Sequence, residues 1–171
     1  HGHHEAARAI AEMGIAWIDT RTMADERPSA FTVGIDLRAR QQLAYQKGRL
    51  LEILGDGREA LAIYEELYDQ LPDAWFLRAH MGVLHASLGH ISAAMQVDRW
   101  LQTLERPYQK GDVTSWRAGI AAALGDLDRG TELLQQARRE GVYWSDLHAL
   151  FHLHDAMGEH RPFVRAMSSQ D

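Results

Sequence analysis

Histidine is the side chain with the widest chemical range in this sequence, and there are ten of them. His148 and His152 stand four residues apart in a segment of helical pattern, followed by His154 and Asp155. Two imidazoles at that spacing share one face of a helix and can hold zinc; with a carboxylate base beside them they would make a metal-dependent hydrolase. The pattern stops short of that. His154 lies about 200° around the helix from His152, so it does not reach the same site, and no His-Glu-x-x-His sequence supplies the base. His80, His85 and His90 are spaced by five, which spreads them around a helix, and they read as unrelated. His1, His3 and His4 form a terminal cluster that takes up metal adventitiously or is a tag-like remnant. No Gly-x-Ser-x-Gly elbow presents a nucleophilic serine, and no kinase or Walker motif is present. Asp69, Asp73 and Asp98 fall at helix ends or on an outer face and read as solvated carboxylates. The expectation is a protein that is not an enzyme, with no metal and no cofactor, and the zinc hydrolase stands as the remote alternative.

The elements that would position any site announce themselves through a period. Gly48, Gly55 and Ala60 recur as Gly82, Gly89 and Ala94, each displaced by 34 residues, and Ala118, Gly125 and Gly130 form a looser third copy displaced by 36. A period of this size is the signature of stacked helix–turn–helix units. Between the glycines the apolar residues keep helical spacing: Leu43, Leu50, Leu51 and Leu54, then Ala60, Leu61, Ile63, Tyr64, Leu67 and Leu71. Gly55-Asp56-Gly57 separates these two runs, and Pro72 closes the second, since helices end before a proline. The next unit is predicted as Trp75–Leu88, a turn at Gly89, and a helix from Ser92, its N-cap, to Leu104. A third runs from Val113 to Leu124, turns at Gly125-Asp126 and continues from Asp128 to Glu140. A degenerate last pair turns at Gly158. Gly2 and Ala7 copy the spacing of Gly55 to Ala60, so Glu5–Ile18 reads as the second helix of a partial repeat. The helix after the charged loop at Ala24–Pro28 is expected to start near Ser29, although Gly34 would then sit inside it at a cost of about 1 kcal/mol.

Glycine is unfavourable inside a helix, so Gly48 and Gly82, one period apart, imply a close helix crossing. Ala60 and Ala94 are the expected facing small residues, with Tyr64, Leu67 and Leu71 filling the gap to the next repeat. Strand signals are poor, without sustained alternation or a hairpin dipeptide between β-rich runs. The predicted class is therefore all-α, an α-solenoid of antiparallel helix–turn–helix repeats. Residues 1–171 form one domain, with a partial repeat at 1–20, repeats at 41–74, 75–110 and 111–142, and a degenerate capping repeat at 143–171.

The composition is 46% apolar and 25% charged, that of a soluble globular protein. No apolar run approaches a membrane span of roughly 18–20 residues. No signal peptide is visible, and the missing initial Met suggests a processed product or an excised fragment. The absence of cysteine excludes disulfides and Cys-ligated metals and fits a reducing, cytoplasmic setting. The net charge of −6 argues against nucleic acid as partner.

The run Gly48, Gly55, Ala60, Tyr64 and Pro72 resembles the tetratricopeptide repeat, with its small helix-A residue, turn glycine, helix-B alanine, helix-B aromatic and terminal proline. Gly82, Gly89 and Ala94 match the first part, while Asp98 stands where the aromatic is expected and the proline is displaced to Pro107. The stretch Leu104–Tyr108, then Trp116–Asp126, and the ending Arg161–Met167 are similar to C-terminal repeat regions of large bacterial regulatory proteins. The resemblance implies a concave groove lined by first helices. Gln42, Tyr45, Arg49 and Glu52 would line it, followed by Phe76, Ala79, Val83 and Ala86, then Ser115, Gly119 and Ala122. That is a polar and aromatic entry leading to an apolar floor of small residues. Ala79 and Val83 occupy places where carboxylate-clamping repeats carry lysine or asparagine, so a chaperone-tail ligand is not expected. The implied function is a scaffold that binds a peptide or protein, the docking or sensing part of a larger regulator. The alternative is a self-association or autoinhibitory module, such as a homodimer.

Overall fold

The computed structural model describes residues 2–24, 33–105, 108–142 and 160–162. Seven helices account for most of them: α1 Gly2–Ala24, α2 Val33–Leu54, α3 Gly57–Gln70, α4 Trp75–Ser87, α5 Ile91–Gln102, α6 Lys110–Ala123 and α7 Leu127–Arg139. Among the described residues there is no strand, and their regular structure is all helical. The predicted pair turning at Gly158 and the histidines at 148, 152 and 154 lie outside the described residues.

The period in the sequence has a local cause. Gly55, Gly89 and Gly125 all take positive φ, at 84°, 79° and 84°. At each, the residue after the glycine donates its N–H to a carbonyl five positions back: Asp56 to Leu51, His90 to His85 and Asp126 to Ala121. Each glycine itself donates three positions back, to Glu52, Ala86 and Ala122. This is the Schellman arrangement, which satisfies the last carbonyls of a helix and needs a residue without Cβ at its left-handed position. The residue after the glycine then opens the next helix, because its carbonyl accepts from Ala60, Ala94 or Gly130. One residue therefore ends one helix and caps the next, which keeps each turn short. The N-cap of α5 is accordingly His90, not Ser92, and α5 begins at Ile91. Gly2 does not make such a turn; it lies in the first turn of α1. Gly34 is accommodated inside α2, which is described from Val33 onward; the expected start near Ser29 lies outside the described residues.

The chain divides into two compact units, residues 1–77 and 78–171. In the first, α2 packs against both α1 and α3. A Cβ on Gly48 would lie 2.6 Å from Cε1 of Tyr64, so the missing side chain is the seat of the tyrosine ring. The facing residue is thus Tyr64, one helical turn beyond Ala60, and it is fully buried. That contact accounts for the burial of Tyr64, while Leu71 stays 37% exposed.

In the second unit, α6 packs against α5 and α7. A Cβ on Gly82 would lie 2.6 Å from Cγ1 of Val97 and 2.7 Å from Cδ1 of Ile120. The crossing is filled by β-branched side chains rather than by Ala94. Ala118, Ala121, Ala122, Leu133 and Leu134 form the core between α6 and α7, with Leu127 and Val142 at its edge. Asp98 is a correction to the sequence reading. It is buried, and its carboxylate accepts from Nε of Arg117 at 3.0 Å and from Nη2 of Arg129 at 2.5 Å. A carboxylate can enter the core here because two guanidinium groups satisfy it. At the other end of α6, Thr114 donates to Glu140 at 2.5 Å, and Gln136 donates to the same carboxylate at 2.9 Å.

Candidate functional site

Helical geometry puts Gln42, Tyr45, Arg49 and Glu52 on one stripe of α2, since residues three and four apart are neighbours. Gln42 is exposed, and the other three are half-buried. Phe76, in the first turn of α4, approaches Tyr45 edge-on, with ring centroids 5.5 Å apart and planes at 82°. Tyr45 in turn leans on Tyr64, at 6.0 Å and 46°. The result is an aromatic ladder. Tyr64 is anchored over Gly48 at the bottom, Tyr45 forms the middle, and Phe76 lies at the top, still 37% exposed. Edge-to-face contacts of this kind hold aromatic rings in register.

Charge accompanies the ladder. Burial raises the pKa of the Tyr45 hydroxyl; Arg49 opposes that shift and Glu52 adds to it. Burial likewise pushes Tyr64 up, and the neighbouring Glu52 carboxylate pushes it further. Both tyrosines are neutral at ordinary pH. Arg49 and Glu52 therefore flank the aromatic rings with opposite charges.

The remaining predicted site residues stand differently. Ala79, Val83 and Ser115 are buried, at 0%, 1% and 4% exposure. Ala86 and Ala122 are buried as well. Val83 packs near Gly119, where an added Cβ would be 3.3 Å from its Cγ2. Ser115 turns its hydroxyl back to the carbonyl of Asp112 at 2.7 Å. In this structure these residues offer no surface to a ligand. The structure brings together Tyr45, Arg49, Glu52 and Phe76, all in the first unit.

Sequence reasoning missed two features. The first is a cleft of about 440 Å³ among α1, α2 and α3, floored by Ile18, Ile63 and Leu67. Lys47 and Asp19 on its wall pair at 2.8 Å, and Gln41 and Gln70 bond at 3.2 Å. No recurring residue type marks it, because it depends on how α1 seats against α2. The second is the pairing of His85 and His90, whose Nδ1 atoms lie 3.3 Å apart. They are not unrelated, because the Gly89 turn folds one back beside the other. Their hydrogen bond needs one ring to donate and the other to accept, and two charged imidazolium rings cannot do so. His80 is buried against Trp116, at a centroid distance of 4.4 Å. Among the described residues no three His, Asp or Glu side chains group to hold a metal. Nor is any described helix long and apolar enough to cross a membrane.

No protein-family model matches the chain, and no curated protein or solved structure matches it significantly.

Proposed function

We propose that this protein is a non-enzymatic interaction scaffold of tetratricopeptide-like repeats, an α-solenoid that binds a peptide or protein segment over Tyr45, Arg49, Glu52 and Phe76. The observation that carries this reading is the aromatic ladder. Phe76 keeps over a third of its surface exposed while Tyr45 fixes its ring from below. A partly exposed aromatic held by a second ring, with an arginine next to that second ring, is the composition of interface hot spots, because little side-chain entropy remains to be lost on binding. Phe76 receives an apolar side chain, Arg49 orients an acidic or carbonyl-rich stretch, and Gln42 extends the contact at the exposed end. The recurring glycine turns and the small residues at Gly48 and Gly82 support the repeat reading. Docking of this kind also fits the resemblance to repeat regions of larger bacterial regulators in the cytoplasm.

The test begins with linear peptides selected by phage display on the immobilised protein. Titration calorimetry then compares wild type with Arg49→Ala/Phe76→Ala. The double variant is expected to bind at least about tenfold more weakly with an unchanged circular dichroism spectrum. Glu65→Ala/Asp69→Ala on the exposed side of α3 should bind as wild type. If the α3 variant loses binding and the ladder variant keeps it, the reading is wrong.

A further inference from the structure

The turn at Gly89 differs from its two counterparts in the side chains it brings together. In a Schellman turn the residue after the glycine bonds to a carbonyl five positions back, and the side chains of those two residues commonly meet. At Gly55 the two residues are Asp56 and Leu51, and at Gly125 they are Asp126 and Ala121. At Gly89 they are His90 and His85, whose backbones bond at 2.8 Å. Two imidazoles thus stand where the other turns carry one carboxylate and one apolar side chain. The ring centroids are 5.5 Å apart and the Nδ1 atoms only 3.3 Å, so each ring turns its Nδ1 edge to the other. His90 is exposed and His85 half-buried, which leaves the pair open to solvent. The backbone fixes their approach from both sides, through the positive φ of Gly89 and the bond from the Ala94 N–H to the His90 carbonyl.

We propose that His85 and His90 form a zinc-binding pair, in which both Nδ1 atoms ligate one zinc ion and water completes the coordination. The separation selects the metal geometry. Two Zn–N bonds of about 2.0–2.1 Å that span 3.3 Å open at about 104–111°, close to the tetrahedral angle that zinc adopts. A right-angled, square-planar site of the copper(II) kind would need its nitrogens about 2.8–3.0 Å apart. The ring torsion of histidine is broad, so a small turn of the exposed His90 aims both lone pairs at one point beside the line joining the nitrogens. Neutral imidazole is the ligand form. In the hydrogen-bonded neutral pair, one ring donates from Nδ1 and the other accepts there. Zinc needs both Nδ1 atoms bare, so the donor ring passes its proton from Nδ1 to Nε2 through solvent, and none is released overall. Among the described residues no third imidazole or carboxylate joins the pair. Two protein ligands and water make an exchangeable site that fills and empties with zinc supply, unlike a closed structural site of four ligands. When occupied, it ties the last turn of α4 to the N-cap of α5. The pair includes none of the ladder residues and does not depend on the reading given above.

The test is a calorimetric titration of the full chain with zinc chloride, with His1→Ala, His3→Ala and His4→Ala in every sample to remove the terminal cluster. A saturable binding event is expected. His90→Asn keeps a good N-cap residue and removes one ligand. It should raise the dissociation constant of that event at least about tenfold with an unchanged circular dichroism spectrum. His148→Ala/His152→Ala should leave the event as it is. Long-range proton–nitrogen NMR spectra of the imidazole rings read the ligating atoms directly. Without zinc, His85 and His90 share one Nδ1–H between them; with zinc, both should become the Nε2–H tautomer. No uptake up to millimolar zinc, uptake unchanged in His90→Asn, or zinc-bound spectra in which either ring keeps its Nδ1–H would each overturn the proposal.

Discussion

Placing leucine at Gly82 puts a bulky side chain into a close helix contact of residues 78–171. The first added atom already meets Val97 Cγ1 at 2.6 Å, Ile120 Cδ1 at 2.7 Å and Val97 Cβ at 3.0 Å. A tip such as Ile120 Cδ1 can swing away. Val97 cannot do so cheaply, because its branched Cβ leaves few rotamers in a helix. Two effects then compete for Gly82→Ala: relief of glycine's backbone freedom contributes about 1 kcal/mol of stability, and overpacking costs about 1–3 kcal/mol. The net is a loss of between about 0 and 2 kcal/mol. Leucine adds three further atoms in the same direction, so its cost is at or above about 3 kcal/mol. At about 2–4 °C per kcal/mol for a chain of this size, the leucine variant should melt at least about 6 °C lower. Urea unfolding followed by circular dichroism measures this directly. Combining Gly82→Ala with Val97→Ala should recover part of the alanine cost, because both changes act on one contact. A Gly82→Leu midpoint equal to wild type, or a Gly82→Ala variant stabilised by the full helix-propensity gain, would show that no helix crosses there.

Gly89→Ala should cost about 1–2 kcal/mol, since its φ of 79° is unfavourable for any L-residue with a Cβ. Gly57→Ala, at the start of α3 and outside the positive-φ set, should be neutral or slightly stabilising by the same urea assay. Asp98→Ala leaves Arg117, whose side chain is only 15% exposed, without its carboxylate. The expected loss is near the lower end of about 3–5 kcal/mol, because Arg129 at 38% exposure can turn to water. For Glu140, burial raises the pKa, but hydrogen bonds from Thr114, Gln136 and Lys110 and the Lys110 charge outweigh it and hold the carboxyl below its ordinary value. A folded-state pKa below the unfolded one gives stability that is present above the ordinary carboxylate range and lost as pH falls through the folded value. Thr114→Val should therefore shrink the difference in urea midpoint between pH 6 and pH 3.5, and an unchanged difference would count against the Thr114–Glu140 bond.

Much of the fold was legible because its punctuation is local. A left-handed glycine followed by a capping residue is a short-range requirement, so Gly55, Gly89 and Gly125 mark their turns without help from the rest of the chain. Gly48 and Gly82 were legible as crossings because glycine inside a helix needs a reason. What sits opposite them was not. Whether Tyr64 or Ala60 fills the notch depends on the rotation of α3 against α2, and a repeat period does not encode that angle. Asp98 shows the same limit: it occupies the register position of Tyr64, but its burial depends on Arg117 and Arg129 arriving from two later helices. Of the groove residues, Tyr45 and Phe76 could be paired from the resemblance. Ala79, Val83 and Ser115 are small or apolar residues whose exposure is decided by neighbours distant in sequence.

The most direct measurement is amide chemical-shift mapping of the full chain on titration with a phage-selected peptide. The account predicts that saturable shifts concentrate on Gln42, Tyr45, Arg49, Glu52 and Phe76 and vanish in Arg49→Ala/Phe76→Ala. Saturable shifts that gather instead on the exposed side of α3 around Glu65 and Asp69, with the ladder residues unmoved, would contradict it.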